Sequence, residues 1–243
     1  MASSAQVKRC RWKVNFSLTD KVLAKTIVDL PDVKLLKEVV ENNTYVTAIE
    51  ITTPELSFVE AVELSSLIAN RCADLMSFIA GLSVSCTLQQ INEIGLPGAV
   101  KASLKPFTVD AIISAPRDID ISTTPFLNVL GGKDEKLSRQ LSHYRRGIAS
   151  SDTIEKIREF YQVLEDEAGK PFRQRYGWLR DLVNHPELTY DTSSKKKSTE
   201  QLGKNYIDPS SPMDLKNLKE QLHQVKRDAE ITLSRKLFLA RDE

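Results

Sequence analysis

The alternation of apolar and polar residues predicts a small β-sheet in the first part of the chain. Residues 11–18 alternate with a period of two, which is typical of a strand with one buried face. Residues 45–51 are rich in β-branched side chains, so a second strand is expected there. Between them, the apolar positions of residues 33–40 follow helical spacing and predict a short helix. Two later strands are expected at residues 82–88 and 101–113, separated by the turn-forming residues 95–98.

A longer stretch with a 3.6-residue period predicts a helix over residues 57–80. Gly81 follows at the position where a left-handed residue commonly ends a helix. The strand–helix–strand–strand order indicates an α+β layer in which the long helix lies across one small sheet. The expected buried stripe of this helix consists of Phe58, Val59, Val62, Leu64, Leu67, Ile68, Cys72, Leu75, Met76 and Ile79.

After a stretch broken by proline and glycine, residues 116–132, the strand pattern disappears and helical spacing replaces it. We therefore divide the chain into an α+β domain, residues 1–130, and an all-α bundle of four to five helices, residues 131–243. Residues 189–212 are polar and predict a loop. The expected helices are 134–146, capped by Asp134 and ended by Gly147; 151–168, capped by Ser151-Asp152 and ended by Gly169-Lys170-Pro171; 172–184; and one capped by Ser211, with Pro212 in its first turn. Their apolar spacing predicts inward-facing residues, which are Ile154, Ile157, Phe160, Tyr161 and Leu164 in the second helix, Tyr176, Leu179 and Val183 in the third, and Leu215, Leu218, Leu222, Val225, Ala229, Thr232 and Leu237 in the last.

Composition and charge describe an ordinary globular protein, with 41% hydrophobic residues, 28% charged residues and a net charge of +1. This net charge provides no general attraction to nucleic acid, so any such contact must come from a local patch. The start is polar and no apolar run approaches the roughly 20 residues of a membrane span, so we expect a cytoplasmic protein without a membrane partner. The chain has three cysteines, Cys10, Cys72 and Cys86. They favour a reducing compartment, and their spacing predicts neither a disulfide ladder nor a zinc site.

The strongest candidate for chemistry lies at the end of the third expected bundle helix. There Arg180, a permanent cation, precedes by five residues His185, whose side chain titrates near neutral pH. Five residues turn a helix by about 500°, which leaves the two side chains roughly 140° apart. Pro186 disfavours the helical conformation at His185, so an early helix end would let the imidazole swing towards the guanidinium. Such a pair suits phosphate chemistry, because Arg binds phosphate oxygens and His transfers protons.

An Arg followed by a polar residue, a short spacer and a His, late in a bundle of four to five helices, resembles the signature of the HEPN (higher eukaryotes and prokaryotes nucleotide-binding) superfamily. Arg180, Asp181 and His185 carry the resemblance. Residues 151–165 and 179–185 are similar to the C-terminal domain of methylamine-utilisation-J-like and ApeA-like HEPN proteins of bacteria. The likeness covers residues 130–240 and extends to the first 130 residues only in layout.

The resemblance implies a metal-independent endoribonuclease without a cofactor, of the kind found in defence or toxin systems. In it, two bundles pair so that both motifs share one composite site. His185 would act as general base or acid and Arg180 would offset the charge that gathers on the phosphoryl oxygens. Asp181 would orient a partner or the imidazole, and Asn184 would donate a hydrogen bond to phosphate. The expected partners are RNA and a second copy of the chain, bound through the bundle.

Two alternatives stay open. In the first, the bundle is an inactive module that binds a nucleotide, RNA or protein, or dimerises, and the N-terminal domain acts as a sensor; His185 would then only interact with the helix dipole. In the second, the N-terminal domain carries the function. Basic residues that could contact RNA phosphates are Lys195, Lys196 and Lys197 in the expected loop and Arg145 and Arg146 at the end of the first bundle helix, although solvation and the helix dipole also explain them.

Overall fold

In the computed structural model, the described residues are 8–23, 32–95, 112–113, 124–165, 167, 170–184, 192–204, 206–208 and 211–238. The chain divides into two units, Met1–Lys133 and Asp134–Glu243. The division lies close to residue 130, where the sequence pattern places the end of the α+β domain. The first unit contains a sheet and helices and the second is built of helices, so the expected α+β class is confirmed.

One sheet contains the strands β1 (Trp12–Leu23), β2 (Val33–Val40), β3 (Asn43–Thr52), β4 (Cys86–Glu93) and β5 (Ile112–Ile113). The first four pair antiparallel in the order β2-β3-β1-β4, and β5 pairs parallel with β1. The alternate residues Val14, Phe16 and Leu18 of β1 are buried, as the period of two predicts. The strands expected over residues 11–18 and 45–51 are therefore confirmed.

The helix predicted over residues 33–40 is wrong, because this segment is strand β2. Val33 and Leu35 are buried on one face, whereas Val39 is 70% exposed, so only the first part has a period of two. β2 joins β3 through Glu41 and Asn42, whose φ angles of 48° and 67° are both left-handed. Positive φ at both central residues is typical of tight hairpin turns. Pairing across this hairpin overrides the local helical spacing, since strand preference depends on the neighbouring strand.

The long helix predicted over residues 57–80 is confirmed as α1 (Phe58–Ala80). Ser57 Oγ accepts a hydrogen bond from the Glu60 N–H, and the Glu60 carboxylate accepts one from the Ser57 N–H. This reciprocal capping box satisfies two backbone donors at the helix start. Gly81 ends the helix with a φ of 68°, a conformation that favours glycine. α1 packs against β1, β3 and β4 and so covers one face of the sheet.

The buried face of α1 differs from the predicted stripe. Phe58, Val59 and Leu67, which were expected to be buried, are 48%, 62% and 48% exposed. Leu75, Met76 and Ile79 are buried as expected. Cys72 is buried as expected too, and this burial raises the pKa of its thiol to about 12. In the first part of α1 the buried positions are instead the small residues Ala61, Ser65 and Ala69, which let a helix approach a sheet closely.

The later elements of the first unit are displaced from their expected positions. β4 begins at Cys86, whereas the strand was predicted over residues 82–88, because the chain first turns back after α1 with the Val84 N–H bonded to Ser77 Oγ at 2.8 Å. Of the strand predicted over 101–113, the structure describes only β5; residues 96–111 lie outside the described residues. α2 (Thr124–Leu130) occupies part of the predicted linker, and its Val129 is fully buried.

The second unit contains α3 (Glu135–Ala149), α4 (Thr153–Glu165), α5 (Lys170–Asn184), α6 (Thr192–Leu202) and α7 (Pro212–Phe238). α4 packs against α3, α5 and α7, and α5 packs against α6. Asp134 and Asp152 cap α3 and α4 through their side chains, as predicted, because each carboxylate accepts N–H groups of the first turn. Ser211 precedes α7, as expected, and Pro212 opens that helix.

The loop predicted over residues 189–212 is wrong in part, because α6 forms within it. α6 has no apolar stripe. Its buried positions are Ser194 and Ser198, one helical turn apart, and Ser198 Oγ donates to the Lys204 carbonyl at 2.7 Å. A helix that buries hydroxyl groups instead of hydrocarbon carries no hydrophobic period, so the sequence pattern could not show it.

Two predicted helix ends in this unit are also wrong. Gly147 lies inside α3, and a Cβ there would come within 2.9 Å of Phe160 Cε1 on α4. Glycine at this position therefore permits close helix packing instead of ending a helix. Lys170 and Pro171 were expected to end α4, but they begin α5, where a proline is readily accommodated in the first turn. Gly169 lies outside the described residues.

The inward faces expected for α4, α5 and α7 are largely confirmed. Ile154, Leu215, Leu222 and Thr232 were expected to face inward as well and are only partly covered. The residues that are buried as expected are Ile157, Phe160, Tyr161 and Leu164 in α4, Tyr176, Leu179 and Val183 in α5, and Leu218, Val225, Ala229 and Leu237 in α7.

Among the described residues, no helix combines the length and the apolar character needed to cross a membrane.

Candidate functional site

Helix α5 positions the candidate motif. Its residues Tyr176, Leu179 and Val183 are buried at 1%, 0% and 2% exposure, so one face of the helix is held in the bundle. Arg180 lies one position beyond Leu179, at the edge of this buried face, and its side chain is 39% exposed. The apolar spacing of α5 therefore holds the backbone of Arg180 rigidly while its guanidinium reaches solvent.

Two carboxylates bind the Arg180 guanidinium. Its Nε and Nη2 both donate to Asp181 Oδ1, at 3.0 and 2.8 Å, and its Nη1 donates to Glu165 Oε1 at 3.1 Å. The hydrogen bonds to Asp181 raise the pKa of Arg180, so it is a fixed cation. These contacts use three of the five guanidinium N–H groups and leave two that are not bonded to any described residue.

Asp181 connects α5 to α6. Its Oδ2 accepts a hydrogen bond from the hydroxyl of the buried Ser194 at 2.8 Å, while its Oδ1 holds Arg180. Asp181 therefore orients the guanidinium, whereas the role expected from the resemblance, orienting a partner or the imidazole, stays a prediction. The Arg180 Cζ lies 5.9 Å from the centroid of the Tyr161 ring on α4, at the outer limit of a cation–π contact.

A pocket of about 460 Å³ opens beside Arg180, between α5, α6 and the side chain of Tyr161. Its charged side chains are three cations, Arg173, Arg180 and Lys197, and one carboxylate, Asp181. The pocket is therefore locally cationic in a chain whose net charge is only +1, and it can attract an anion. Its other lining residues are Tyr161, Gln174, Gly177, Trp178, Ser193 and Ser194. We call this feature the α5–α6 pocket.

The predicted site residues at the end of α5 have mixed outcomes. His185 lies outside the described residues, as does Pro186, so the swing of the imidazole towards Arg180 stays a prediction. Asn184 is the last residue of α5 and is exposed. Lys197 lines the α5–α6 pocket and its Nζ donates to the Gln174 carbonyl.

The remaining basic candidates do not line the pocket. Lys195 and Lys196 are exposed on α6, neither of them facing the pocket. Arg146 on α3 donates from Nε to Glu159 Oε2 at 3.1 Å and contacts the ring of His143. Arg145, also on α3, is likewise absent from the pocket lining. A contact of these residues with RNA stays a prediction.

Sequence reasoning missed four residues that build the site. Glu165 and Tyr161 are on α4, one turn apart, and both reach Arg180; their spacing was visible, but their partner on another helix was not. Ser194 was hidden in a segment interpreted as a loop. Arg158, also on α4, donates from Nη2 to the Val183 carbonyl and so satisfies one of the last backbone acceptors of α5.

Possible metal ligands do not cluster in the described residues. Within the part of the chain that the structure describes, no three His, Cys, Asp or Glu side chains come together as a group that could hold a metal ion. The free cysteines Cys10, Cys72 and Cys86 lie in the first unit.

Comparison of this chain with protein-family models, with curated proteins and with solved structures found no match.

Proposed function

We propose that the C-terminal unit is a HEPN-like module that binds RNA by its phosphodiester backbone and cleaves it without a metal ion, through Arg180 and His185. The observation that carries the proposal is the cationic α5–α6 pocket beside Arg180, with two guanidinium N–H groups left for a ligand. A guanidinium fork matches the oxygen pairs of a phosphate, so this edge of the pocket suits a phosphodiester.

The proposed chemistry is an internal transfer within the RNA. The ribose 2′-oxygen attacks the adjacent phosphorus, His185 removes the 2′-hydroxyl proton, and the bond from phosphorus to the 5′-oxygen breaks as that oxygen receives a proton. Arg180 donates its remaining N–H groups to the phosphoryl oxygens as negative charge gathers there. The products are a 2′,3′-cyclic phosphate and a 5′-hydroxyl. Two copies of the unit pair in this proposal, so that the second motif can supply the proton.

A second function, RNA binding without cleavage, is favoured by one observation. Arg180 is already bonded to Asp181 and Glu165, and these carboxylates cancel its charge locally. A phosphate must compete with them for the guanidinium, which lowers the stabilisation that Arg180 can offer to a transition state. The two functions differ in whether the RNA chain is cut, and a single assay separates them.

The deciding experiment is the incubation of a labelled RNA pool with the protein in EDTA, comparing wild type with Arg180→Ala and His185→Ala. Arg227→Ala serves as the matched control, because Arg227 is an exposed cation on α7 outside the pocket. Cleavage by wild type and the control alone, with 2′,3′-cyclic phosphate ends, supports the nuclease. Binding of RNA by a folded wild type without cleavage supports the second function, and absence of both binding and cleavage rejects both.

A further inference from the structure

Gly177 is an unusual residue for the wall of the α5–α6 pocket. It lies inside helix α5, where glycine is less favourable than any residue except proline. A Cβ added to Gly177 would meet no described heavy atom within 4 Å, and its φ is not left-handed. Neither close packing against the described residues nor the backbone conformation therefore requires glycine here. Glycine leaves space at this wall of the pocket that any larger side chain would occupy.

Tyr161, another lining residue of the pocket, provides an independent observation. Its residue is 1% exposed, and its hydroxyl has no hydrogen-bond partner among the described residues. A buried hydroxyl without a partner is costly, and a bound polar group such as water or an ion is one explanation of such a group. Burial raises the pKa of Tyr161, which keeps the hydroxyl protonated and able to donate.

Charge and size narrow the class of ligand. Arg173 is exposed, lines the pocket and forms no hydrogen bond or ion pair with another described residue, so its guanidinium is available to an anion. Lys197 adds a second cation on the facing helix. The volume of about 460 Å³ lies within the range of roughly 300–1,000 Å³ that small organic ligands occupy. The ligand is therefore an anionic group attached to a larger body, and the side-chain amide of Gln174 can bind a polar edge of that body.

We propose that the α5–α6 pocket binds one nucleotide of the RNA, with the phosphate on Arg173 and Lys197 and the nucleoside lying over Gly177. This inference rests on the proposed RNA function and names the feature that would select the substrate. Gly177 is then a specificity-determining residue, since any side chain at that position would occupy the space of the nucleoside.

The test measures binding of the four ribonucleoside 3′-monophosphates and of inorganic phosphate by titration calorimetry, and binding of labelled single-stranded RNA by fluorescence anisotropy. We expect at least one nucleotide to bind tenfold or more tightly than inorganic phosphate. Gly177→Leu and Arg173→Gln should each weaken the binding of that nucleotide at least tenfold. Lys219→Gln removes an exposed cation on α7 and is the matched control for charge, with an expected change of less than twofold.

The outcomes separate the pocket from the function. RNA binding that is unaffected by Gly177→Leu and Arg173→Gln, with no nucleotide preferred over inorganic phosphate, overturns the pocket proposal and leaves the RNA function standing. If nucleotide binding depends on Gly177 and Arg173 but the protein does not bind RNA, the result supports the pocket as a nucleotide site and overturns the RNA function. Arg173→Gln keeps the test decisive if Gly177→Leu fails to fold, because Arg173 is exposed.

Discussion

The Arg180 guanidinium and the Asp181 carboxylate form a two-bond ion pair although the two residues are consecutive on α5. Consecutive helical residues point about 100° apart, so such neighbours do not usually face each other. Here Ser194 holds the other carboxylate oxygen at 2.8 Å and Glu165 holds Nη1 at 3.1 Å. Residues of three helices thus fix the direction of one guanidinium at the edge of the pocket.

Replacement of Asp181 tests this arrangement. In Asp181→Asn, we expect RNA affinity at low salt to rise roughly fivefold, because loss of a charge near the phosphate is worth about 1 kcal/mol. Cleavage should fall, since the Asp181 carboxylate no longer orients Arg180. Anisotropy at two salt concentrations and the RNA cleavage assay measure both effects. Glu220→Gln removes an exposed carboxylate on α7 and is the control; an equal rise in affinity there would contradict a local effect.

Arg158 is expected to position the end of α5. Its Nη2 donates to the Val183 carbonyl, two residues before His185. If the proposed nuclease is correct, Arg158→Ala should lower the rate of RNA cleavage about tenfold with little change in RNA affinity, because a small displacement of a general base is costly. Single-turnover kinetics and anisotropy separate the two. Arg158→Lys retains the charge and should recover part of the cleavage rate. If Arg158→Ala instead lowers RNA affinity as much as it lowers the rate, Arg158 has a binding role.

Two helical glycines should respond to alanine with opposite signs. Gly177→Ala should raise the free energy of unfolding by about 0.5–1 kcal/mol, because the added methyl group meets no described atom and alanine is the better helix former. Gly147→Ala should lower it by about 1–3 kcal/mol, because its Cβ would come within 2.9 Å of the buried Phe160 ring. Urea unfolding measures both changes. Destabilisation by Gly177→Ala would show that the added methyl group meets other atoms and that the space beside Gly177 is occupied.

The stability of the helical unit should depend on the protonation of Glu167. Burial alone would raise the pKa of this carboxyl, but hydrogen bonds from Lys136 at 2.8 Å and from Lys236 outweigh it and lower the pKa below 4.5. A lowered folded-state pKa stabilises the protein above the unfolded value, and this contribution is lost as pH falls through the folded value.

Glu167→Gln should therefore lower the free energy of unfolding by about 1 kcal/mol at pH 7 and have almost no effect well below the folded pKa. Urea unfolding of both proteins over a pH series measures the difference. Glu200→Gln, which changes an exposed carboxylate on α6, is the control and should change stability little at either pH. A constant difference over the whole series would show that packing, and not charge, explains the effect.

Local patterns were sufficient where one element carries its own signal. The capping residue Asp134, Gly81 after α1 and the period of two in β1 each act within a few residues, so the chain alone identifies them. The inward face of α5 followed from the spacing of Tyr176, Leu179 and Val183 in the same way. From it, the position of Arg180 at the edge of the bundle could be predicted.

Local patterns failed where a distant partner decides the outcome. β2 has helical spacing, but the left-handed turn at Glu41 and Asn42 pairs it with β3. α6 buries the hydroxyls of Ser194 and Ser198 and has no hydrophobic period to detect. Pairing and burial are properties of two elements together, and a single segment does not encode its neighbour.

For the candidate site, the sequence by itself determined the motif residues Arg180 and Asp181 and the helix that holds them. The tertiary structure alone decided their surroundings: Glu165 and Tyr161 from α4, Ser194 from α6, and the pocket whose wall is opened by Gly177. The physical reason is range, since helix propensity and capping act over a few residues. Charge pairing, burial and cavity shape depend instead on side chains that only folding brings together.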